Sequence, residues 1–120
     1  MRSQNCQKKL DSYSFRTITI DGNKFLKDLI IFPEKINSSW RRKTSHLLSE
    51  DDITEILDYK PEVLIIGTGA NGLMKVDDKV KEKLRSLSIE FIIKKTSEAV
   101  NEYNRVYKDK KVFCAIHLTC

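Results

Sequence analysis

The feature that most constrains this chain is a run of large apolar residues that leads directly into a glycine-rich turn. Residues 63–66 read Val-Leu-Ile-Ile, with Pro61 shortly before them and Gly67, Gly69 and Gly72 after them. An uninterrupted apolar run of this length, bounded by proline and glycine, is typical of a strand buried on both faces. The glycines then allow the backbone to turn where a side chain would clash. We therefore predict a central strand, with any pocket near its carboxyl end.

The residues after this turn alternate between helical and strand patterns. Asp77 can cap a helix, whose apolar positions are Val80, Leu84 and Leu87. Residues 89–93 predict another buried strand, and residues 111–120 a final one. Between these strands Thr96 can cap a third helix, whose predicted inward side chains are Ala99, Val100, Tyr103, Val106 and Tyr107. Such alternation favours a layered α/β fold with right-handed crossovers.

The first half of the chain predicts a β-hairpin and one short helix. Asp21-Gly22 separates a β-rich run from Tyr13 to Ile20 from a second run over residues 23–32, and Asp-Gly is a strong hairpin signal. A short helix over residues 23–31 is the alternative, which Pro33 and the turn disfavour. Ser49 can cap a helix with three apolar residues on one face, Ile53, Ile56 and Leu57.

These elements predict a compact α/β domain. The chain of 120 residues fits one domain, and we assign it to residues 13–120 behind a flexible leader, residues 1–12. No apolar run approaches the roughly 18 residues that span a bilayer. The polar, basic start has no signal-like apolar region and the three cysteines suit a reducing compartment, so we expect a cytoplasmic protein.

The net charge of +5 is spread along the whole chain. Residues 1–60 hold 11 basic and 9 acidic residues, and residues 61–120 hold 11 and 8. A nucleic-acid-binding protein usually concentrates its basic residues in a patch or stripe. The even distribution favours a solvated surface of mixed charge, so nucleic acid is not the expected partner.

The turn after the central strand matches a dinucleotide-binding pattern literally. Gly67-Thr68-Gly69-Ala70-Asn71-Gly72 reads G-x-G-x-x-G and follows a predicted strand. However, four residues separate Gly72 from the helix cap at Asp77, and no acidic residue follows the next strand to bind a ribose hydroxyl. We therefore predict a tight structural turn that exposes backbone N–H groups to a small anion, and we expect no cofactor.

A basic aromatic segment precedes the first predicted helix. It contains the only tryptophan, Trp40, followed by Arg41, Arg42 and His46. Arginine binds carboxylate or phosphate in a bidentate manner, and tryptophan offers a stacking surface. If the segment is extended, Trp40 and Arg42 share one face and Arg41 lies on the other. The alternative is that Trp40 covers the edge of the core while the arginines pair with Glu50, Asp51 or Asp52.

Alternate residues of the last predicted strand face opposite sides of the sheet. The strand contains no recognisable catalytic or metal motif. Cys114 and Cys120 lie on the same face but about 20 Å apart, too far to share a metal ion. Cys114 is expected to be a buried thiol and Cys6 lies in the leader, whereas the sequence leaves open whether the terminal Cys120 is exposed and reactive. His117, on the opposite face, is expected to be a satisfied sheet histidine. We therefore assign no catalytic residue and no metal site, and an enzyme is the less favoured class.

Five motifs in this order resemble a known family. They are Trp40-Arg41-Arg42 with His46, Ser49-Glu50-Asp51, Leu64-Ile65-Ile66-Gly67-Thr68-Gly69 with Gly72, Thr96-Ser97-Glu98-Ala99-Val100 with Glu102-Tyr103-Asn104, and Ala115-Ile116-His117-Leu118-Thr119-Cys120. Over roughly residues 13–120 the chain resembles the small single-domain family that includes the mammalian adipogenesis-associated domain protein, mitochondrial complex I assembly factor 3 and uncharacterised bacterial and archaeal proteins. The resemblance implies a compact α/β fold, with a mixed β-sheet that carries helices on one side and the N-terminal β-hairpin layer on the other. From the eukaryotic members it implies action through protein contacts.

Two functional hypotheses follow. The first is a protein-binding or assembly module of unknown partner, with Trp40, Arg41 and the glycine turn as its contact surface. The second is a small-molecule or anion-binding protein, weakly enzymatic if at all, with a pocket near the glycine turn. The candidate residues for binding a ligand or a partner are Trp40, Arg41, Arg42, His46, Gly67, Thr68, Gly69, Gly72, Lys75 and Asn104.

Overall fold

The computed structural model describes residues 10–42 and 46–118. In this part of the chain there are ten strands and three α-helices. The strands are β1 (Leu10–Ser14), β2 (Thr17–Ile20), β3 (Asn23–Phe25), β4 (Leu29–Ile31), β5 (Ile36–Asn37), β6 (Leu47–Leu48), β7 (Val63–Thr68), β8 (Lys75–Val76), β9 (Glu90–Lys94) and β10 (Val112–His117). The helices are α1 (Thr54–Leu57), preceded by a 3-10 turn over Glu50–Ile53, α2 (Asp78–Ser86) and α3 (Thr96–Val106). None of these helices combines the length and the apolar character that crossing a membrane requires.

The central sheet has five strands in the order β5-β4-β10-β7-β9. Strands β9, β7 and β10 run parallel, whereas β4 is antiparallel to β10 and β5 is antiparallel to β4. The sheet is therefore mixed, as predicted. Two smaller sheets accompany it: the antiparallel sheet β1-β2-β3 and the short parallel pair β6-β8.

Two cores lie on opposite faces of the central sheet. One face packs against the three-stranded sheet and α3, through residues that include Ile18, Ile65 and Tyr103. The other face packs against α1, α2 and Trp40, around Leu64 and Phe113. The predicted α/β class is thus confirmed, with one correction of detail. Helix α3 shares the face of the N-terminal strands, whereas the prediction placed all helices on the other face.

Two features hold α3 on that face: its close packing against Gly67 of β7 and the side-chain amide of Asn104. A Cβ on Gly67 would lie 2.9 Å from Thr96 Oγ1, so α3 lies directly against β7. Asn104 accepts a hydrogen bond from the Leu10 N–H and donates one to the Leu10 carbonyl oxygen, at 2.8 and 3.0 Å. This pair fixes β1 beside α3. Strand β1 therefore begins inside the span predicted as a leader, and residues 1–9 of that leader lie outside the described residues.

The N-terminal strands are shorter than predicted. The turn at Asp21-Gly22 is confirmed, with φ of 51° and 80°, but a second turn at Arg16, φ 70°, divides the predicted first strand into the end of β1 and β2. The predicted second strand also divides, into β3 and β4, which belong to different sheets. A single hydrophobic pattern could not separate them because Phe25 of β3 packs on the same core as Leu29 and Ile31 of β4.

The predicted helices are present, with two corrections at their ends. Asp77 caps α2 as predicted, accepting a hydrogen bond from the Lys79 N–H at 3.0 Å. Leu87 is exposed, because α2 ends at Ser86 and Ser88 adopts a left-handed conformation that redirects the chain. Thr96 is not the cap of α3 but its first residue, because its hydroxyl binds the Gly69 N–H just after β7 and the His117 carbonyl oxygen of β10 instead.

We predict that Gly67→Ala destabilises the protein by about 1 to 3 kcal/mol, because the added methyl group would overpack the contact with Thr96 and Ala99. Urea denaturation measures this change in the free energy of unfolding. Gly22→Ala is the matched control: no atom lies within 4 Å of its added methyl group, so only its positive φ costs about 1 kcal/mol. Equal losses in the two variants would contradict the overpacking argument.

Candidate functional site

The carboxyl ends of the parallel strands gather most of the predicted site residues at one edge of the central sheet. His117 is the last residue of β10 and pairs in register with Thr68, the last residue of β7. Asp28 immediately precedes β4, whose first residue, Leu29, pairs with Ile116 of β10. Because β4 is antiparallel to β10, the amino end of β4 lies beside the carboxyl ends of β10 and β7. The topology therefore places Asp28 beside His117.

Asp28, Arg42 and His117 form a largely buried hydrogen-bonded network. One carboxylate oxygen of Asp28 lies 2.7 Å from Arg42 Nη1 and 2.7 Å from His117 Nδ1. The other accepts a hydrogen bond from the Leu118 N–H at 2.7 Å. The side chains of Arg42 and His117 are each 5% exposed and that of Asp28 is 18% exposed. Solvent therefore screens this network much less than it screens a surface ion pair.

The hydrogen bonds keep Asp28 ionised despite its burial. Burial by itself raises the pKa of the carboxyl group, but the hydrogen bonds from His117, the Leu118 N–H and Arg42 together bring the pKa below its usual value. Arg42 Nη2 also lies 3.0 Å from His117 Nδ1, and a guanidinium group can only donate. A carboxylate oxygen can only accept, so Nδ1 can bond to Asp28 as a donor or to Arg42 as an acceptor, but not to both at once.

The second ring nitrogen of His117 has no hydrogen-bond partner among the described residues, and its surface is buried. The ring of His46 lies edge-on to the ring of His117, with 6.2 Å between the centroids. An aspartate that orients the Nδ1 side of a histidine, leaving Nε2 available, is the arrangement of a general base or a metal ligand. In the part of the chain that the structure describes, however, no group of three or more His, Cys, Asp or Glu residues could hold a metal ion.

Trp40 supports the network from the core side. Its side chain is buried and its Nε1 donates a hydrogen bond to the carbonyl oxygen of Asp52 at 3.0 Å. The guanidinium carbon of Arg42 lies 5.0 Å from the centroid of the Trp40 ring. Trp40 and Arg42 therefore share one side, whereas Arg41 is exposed, as an extended segment predicts. Trp40 also covers the core edge, as the alternative interpretation predicted.

The glycine turn is held by hydrogen bonds within the protein. The Gly69 N–H donates to Thr96 Oγ1 at 2.8 Å, and that hydroxyl donates to the His117 carbonyl oxygen at 2.7 Å. The Gly72 N–H donates to the Gly69 carbonyl oxygen at 3.2 Å. The predicted exposure of N–H groups to an anion is therefore wrong at these two glycines. No helix begins here, since residues 75–76 form β8 and α2 starts at Asp78, so the literal match to the dinucleotide pattern carries no nucleotide site.

Around the network lies an exposed group of residues that we call the basic rim. The β6-β8 pair brings His46 and Lys75 together, because the Lys75 N–H donates to the His46 carbonyl oxygen at 2.8 Å. Lys95 packs over Gly72, where a Cβ would lie 3.2 Å from its Cγ. Two exposed leucines accompany these cations. The basic rim comprises Arg41, His46, Leu47, Leu73, Lys75 and Lys95.

The structure brings together eight of the ten predicted binding residues, leaves Arg41 exposed next to them in the chain, and separates Asn104. Trp40, Arg42, Gly67, Thr68, Gly69 and Gly72 lie beneath the rim, and Arg41, His46 and Lys75 lie on it. Asn104 is about 12 Å further along α3 from Thr96 and is bound to Leu10. The sequence analysis missed Asp28, although it lies directly before a buried apolar triplet. Recognising it required the pairing of β4 with β10.

We predict that Asp28→Asn lowers the free energy of unfolding by about 3 kcal/mol at neutral pH, because Arg42 and His117 lose their ionised partner in a buried setting. Chemical denaturation of both proteins measures the difference. The matched control is Glu55→Gln, which removes an exposed ion pair with Lys35 and is expected to cost less than about 1 kcal/mol.

The difference in unfolding free energy between the wild-type protein and Asp28→Asn should depend on pH. The pKa of Asp28 is lower in the folded protein than in the unfolded chain, so its stabilising contribution is complete above pH 4 or so and is lost as the pH falls through the folded value. The difference between the wild-type protein and Asp28→Asn should therefore shrink below about pH 4. A difference that stays constant down to acid unfolding would contradict the ionised assignment.

Several solved structures share this fold. A conserved hypothetical protein, PH1505 from Pyrococcus horikoshii OT3, is 26% identical with a TM-score of 0.80 over 93% of this chain and 99% of that one. An outer membrane protein from Bartonella henselae is 21% identical with a TM-score of 0.81, over 97% and 98%. A Bordetella pertussis protein described as an Mth938-like domain is 16% identical with a TM-score of 0.62, over 98% and 92%. The last two likenesses support the fold alone.

A family model also matches nearly the whole described chain. The model is described as a protein of unknown function, DUF498/DUF598, and it matches residues 10–117. The match confirms the resemblance to a small family of uncharacterised proteins that the five ordered motifs indicated. The chain belongs to the DUF498/DUF598 family of proteins of unknown function.

Proposed function

We propose that this chain is a protein-binding module that uses the basic rim to bind an acidic segment of a partner protein. One observation carries the proposal: two exposed leucines lie among exposed cationic side chains at a single edge of the domain. Leu73 is 57% exposed and Leu47 is 36% exposed, and Lys75 pairs with Leu47 across the β6-β8 ladder. Large apolar side chains in a polar surround are typical of contact surfaces.

The charges of the rim define the chemistry of the partner. Arg41, His46, Lys75 and Lys95 present donors and, for the three permanent cations, positive charge. A partner segment with carboxylates beside one or two apolar side chains would complement them, the carboxylates binding the cations and the apolar groups covering the leucines. Such electrostatic complementarity raises the rate of association and selects against basic partners.

The residues beneath the rim favour a rigid contact surface. The Asp28–Arg42–His117 network fixes one side of it, and the Thr96 hydroxyl joins the glycine turn to the end of β10. Hydrogen-bonded support of this kind reduces the ordering cost of binding. The burial of His117 Nε2 disfavours a catalytic interpretation of the same network, since a general base must reach the substrate proton.

Selection of random peptides displayed on phage tests this proposal, because it names the chemistry of the partner without presupposing its identity. We expect enrichment of peptides that combine Asp or Glu with an apolar residue. Binding of synthetic versions, measured by fluorescence polarisation, should weaken about tenfold in Leu73→Asp and in Lys75→Glu, and should weaken as salt is added.

The matched controls, Lys83 on α2 and Leu87 directly after it, are not rim residues. Leu87 is 47% exposed, so Leu87→Asp repeats the apolar-to-acidic change at a different edge, and Lys83→Glu repeats the charge reversal. Both controls should bind the peptides like the wild-type protein. Selected peptides with no acidic enrichment, or rim variants that bind as well as the controls, would reject the proposal.

A small anion is the second candidate ligand of the rim. Lys95 immediately precedes α3, at the positive end of the helix dipole, where a cation is unfavourable unless an anion is bound nearby. Phosphate, sulfate and small carboxylates are suitable probes in a thermal-shift assay. Saturation at 100 times the dissociation constant adds about 2.7 kcal/mol, which should raise the midpoint by roughly 10 °C. A shift that survives both Arg41→Ala and Lys95→Gln would reject this candidate.

A further inference from the structure

Strand β9 forms one edge of the central sheet, and its sequence is unusual for an edge. Its five residues are Glu-Phe-Ile-Ile-Lys, and the three apolar ones, Phe91, Ile92 and Ile93, are each partly exposed. In the described residues β9 pairs only with β7. Natural edge strands are usually protected by proline, a bulge or an inward-pointing charge, and none of these interrupts β9.

The backbone orientation of β9 shows which groups face away from the sheet. The Glu90 N–H donates to the Glu62 carbonyl oxygen at 3.2 Å, and the Lys94 carbonyl oxygen accepts from Thr68 Oγ1 at 3.1 Å. Both residues therefore direct backbone groups toward β7. Since the direction alternates along a strand, the N–H and C=O groups of Phe91 and Ile93 point outward from the sheet. These outward groups form a template for another strand.

We propose that β9 pairs antiparallel with β9 of a second copy of this chain, about a two-fold axis at Ile92. In this register Phe91 lies opposite Ile93 of the other copy, and the two residues exchange both N–H···O bonds. The symmetry repeats this pair on the other side of the axis. Ile92 lies opposite its own equivalent in a non-hydrogen-bonded pair. The outward groups found on Phe91 and Ile93 are the ones that this register requires.

The charges at the ends of β9 make the strand complementary to itself. The same register places Glu90 opposite the second copy's Lys94, and the symmetry provides the reciprocal pair. Opposite charges that face each other across strands are stabilising, and like charges are destabilising. Parallel pairing would instead place Glu90 opposite Glu90 and Lys94 opposite Lys94. The charge pattern therefore selects the antiparallel arrangement, and it selects a second copy over a strand of unrelated sequence.

The surface beside β9 leaves room for this partner. A recess of about 330 Å³ lies next to the strand, and Glu90 and Ile92 contribute to its lining. These two residues share the face of α3, as does Lys94 by parity. The second copy's Lys94 would therefore approach Glu90 at an open part of the surface. Glu90 already contacts Lys110 at 3.4 Å, but this ion pair is exposed and weak enough to be replaced.

A charge-swap experiment tests the register. Sedimentation equilibrium from micromolar to millimolar protein should show a monomer–dimer equilibrium for the wild-type chain. Glu90→Lys and Lys94→Glu each create two facing like-charged pairs and should raise the dissociation constant on the order of tenfold. The double variant restores opposite pairs in the reversed order and should recover most of the affinity. A monomeric wild-type chain throughout, or a dimer unaffected by either single variant, would overturn the proposal.

A cross-link tests the two-fold axis directly. Facing residues of a non-hydrogen-bonded antiparallel pair have Cα atoms about 4.5 Å apart, within the range that a disulfide accepts. In a background with Cys6 and Cys120 replaced by serine, Ile92→Cys should therefore give a disulfide-linked dimer on mild oxidation. Leu73→Cys, exposed on the basic rim, is the matched control and should remain monomeric. Cross-linking at position 73 but not at position 92 would overturn the proposal.

This inference is independent of the proposed function. Neither Glu90 nor Ile92 belongs to the basic rim, so loss of dimerisation in these variants should leave the binding of acidic peptides to the monomer intact. Ile93→Pro provides a second route, since it removes an outward N–H that β7 does not use. A folded Ile93→Pro protein, judged by circular dichroism, should be monomeric, and a folded variant that still dimerises would reject pairing through β9.

Discussion

The parallel pairing of β7 with β10 is the interaction on which the rest of this structure depends. It runs without interruption from Val63 opposite Val112 to Thr68 opposite His117. Both strands are buried along their whole length, so each contributes side chains to both cores. Every other layer packs on one of the two faces that this pair creates. The apolar burial that stabilises the fold is therefore concentrated where residues far apart in sequence meet.

The same pairing organises the polar edge of the domain. Because both strands end together, the Thr96 hydroxyl can bridge the Gly69 N–H and the His117 carbonyl oxygen. The antiparallel addition of β4 then brings Asp28 to His117, and Arg42 completes the network from a separate segment. These polar groups are buried and joined to one another, which favours a unique arrangement of the edge. The basic rim lies on this support.

The two proposed interactions use different kinds of surface. The rim presents side chains, in which charge and exposed leucines determine the partner. Strand β9 presents main-chain groups, in which hydrogen bonding provides attraction and the end charges determine the register. A dimer formed through β9 would carry two rims on one continuous sheet. A partner with two acidic segments could then bind with increased avidity, if its linker spanned the distance between the rims.

The sequence by itself determined the local elements and the family. Residues 63–66 predict β7 because a fully apolar run has no polar face to expose, and Asp21-Gly22 predicts its turn because both residues accept positive φ. The predicted alternation of side chains along the last strand is also confirmed, with Cys114 in one core and Phe113 in the other. These features depend on neighbours in the chain, which a sequence displays directly.

Only the tertiary structure decided which distant residues meet. Asp28 has no local motif, and it belongs to the candidate site because β4 pairs with β10 across 85 or so residues of chain. Thr96 resembled a helix cap, but its hydroxyl binds Gly69 and His117, which are far from it in the chain. Asn104 was a candidate binding residue, yet its side chain is bound to the backbone of Leu10. Strand pairing and helix packing are set by the free energy of the whole core, and this is why local patterns could not predict them.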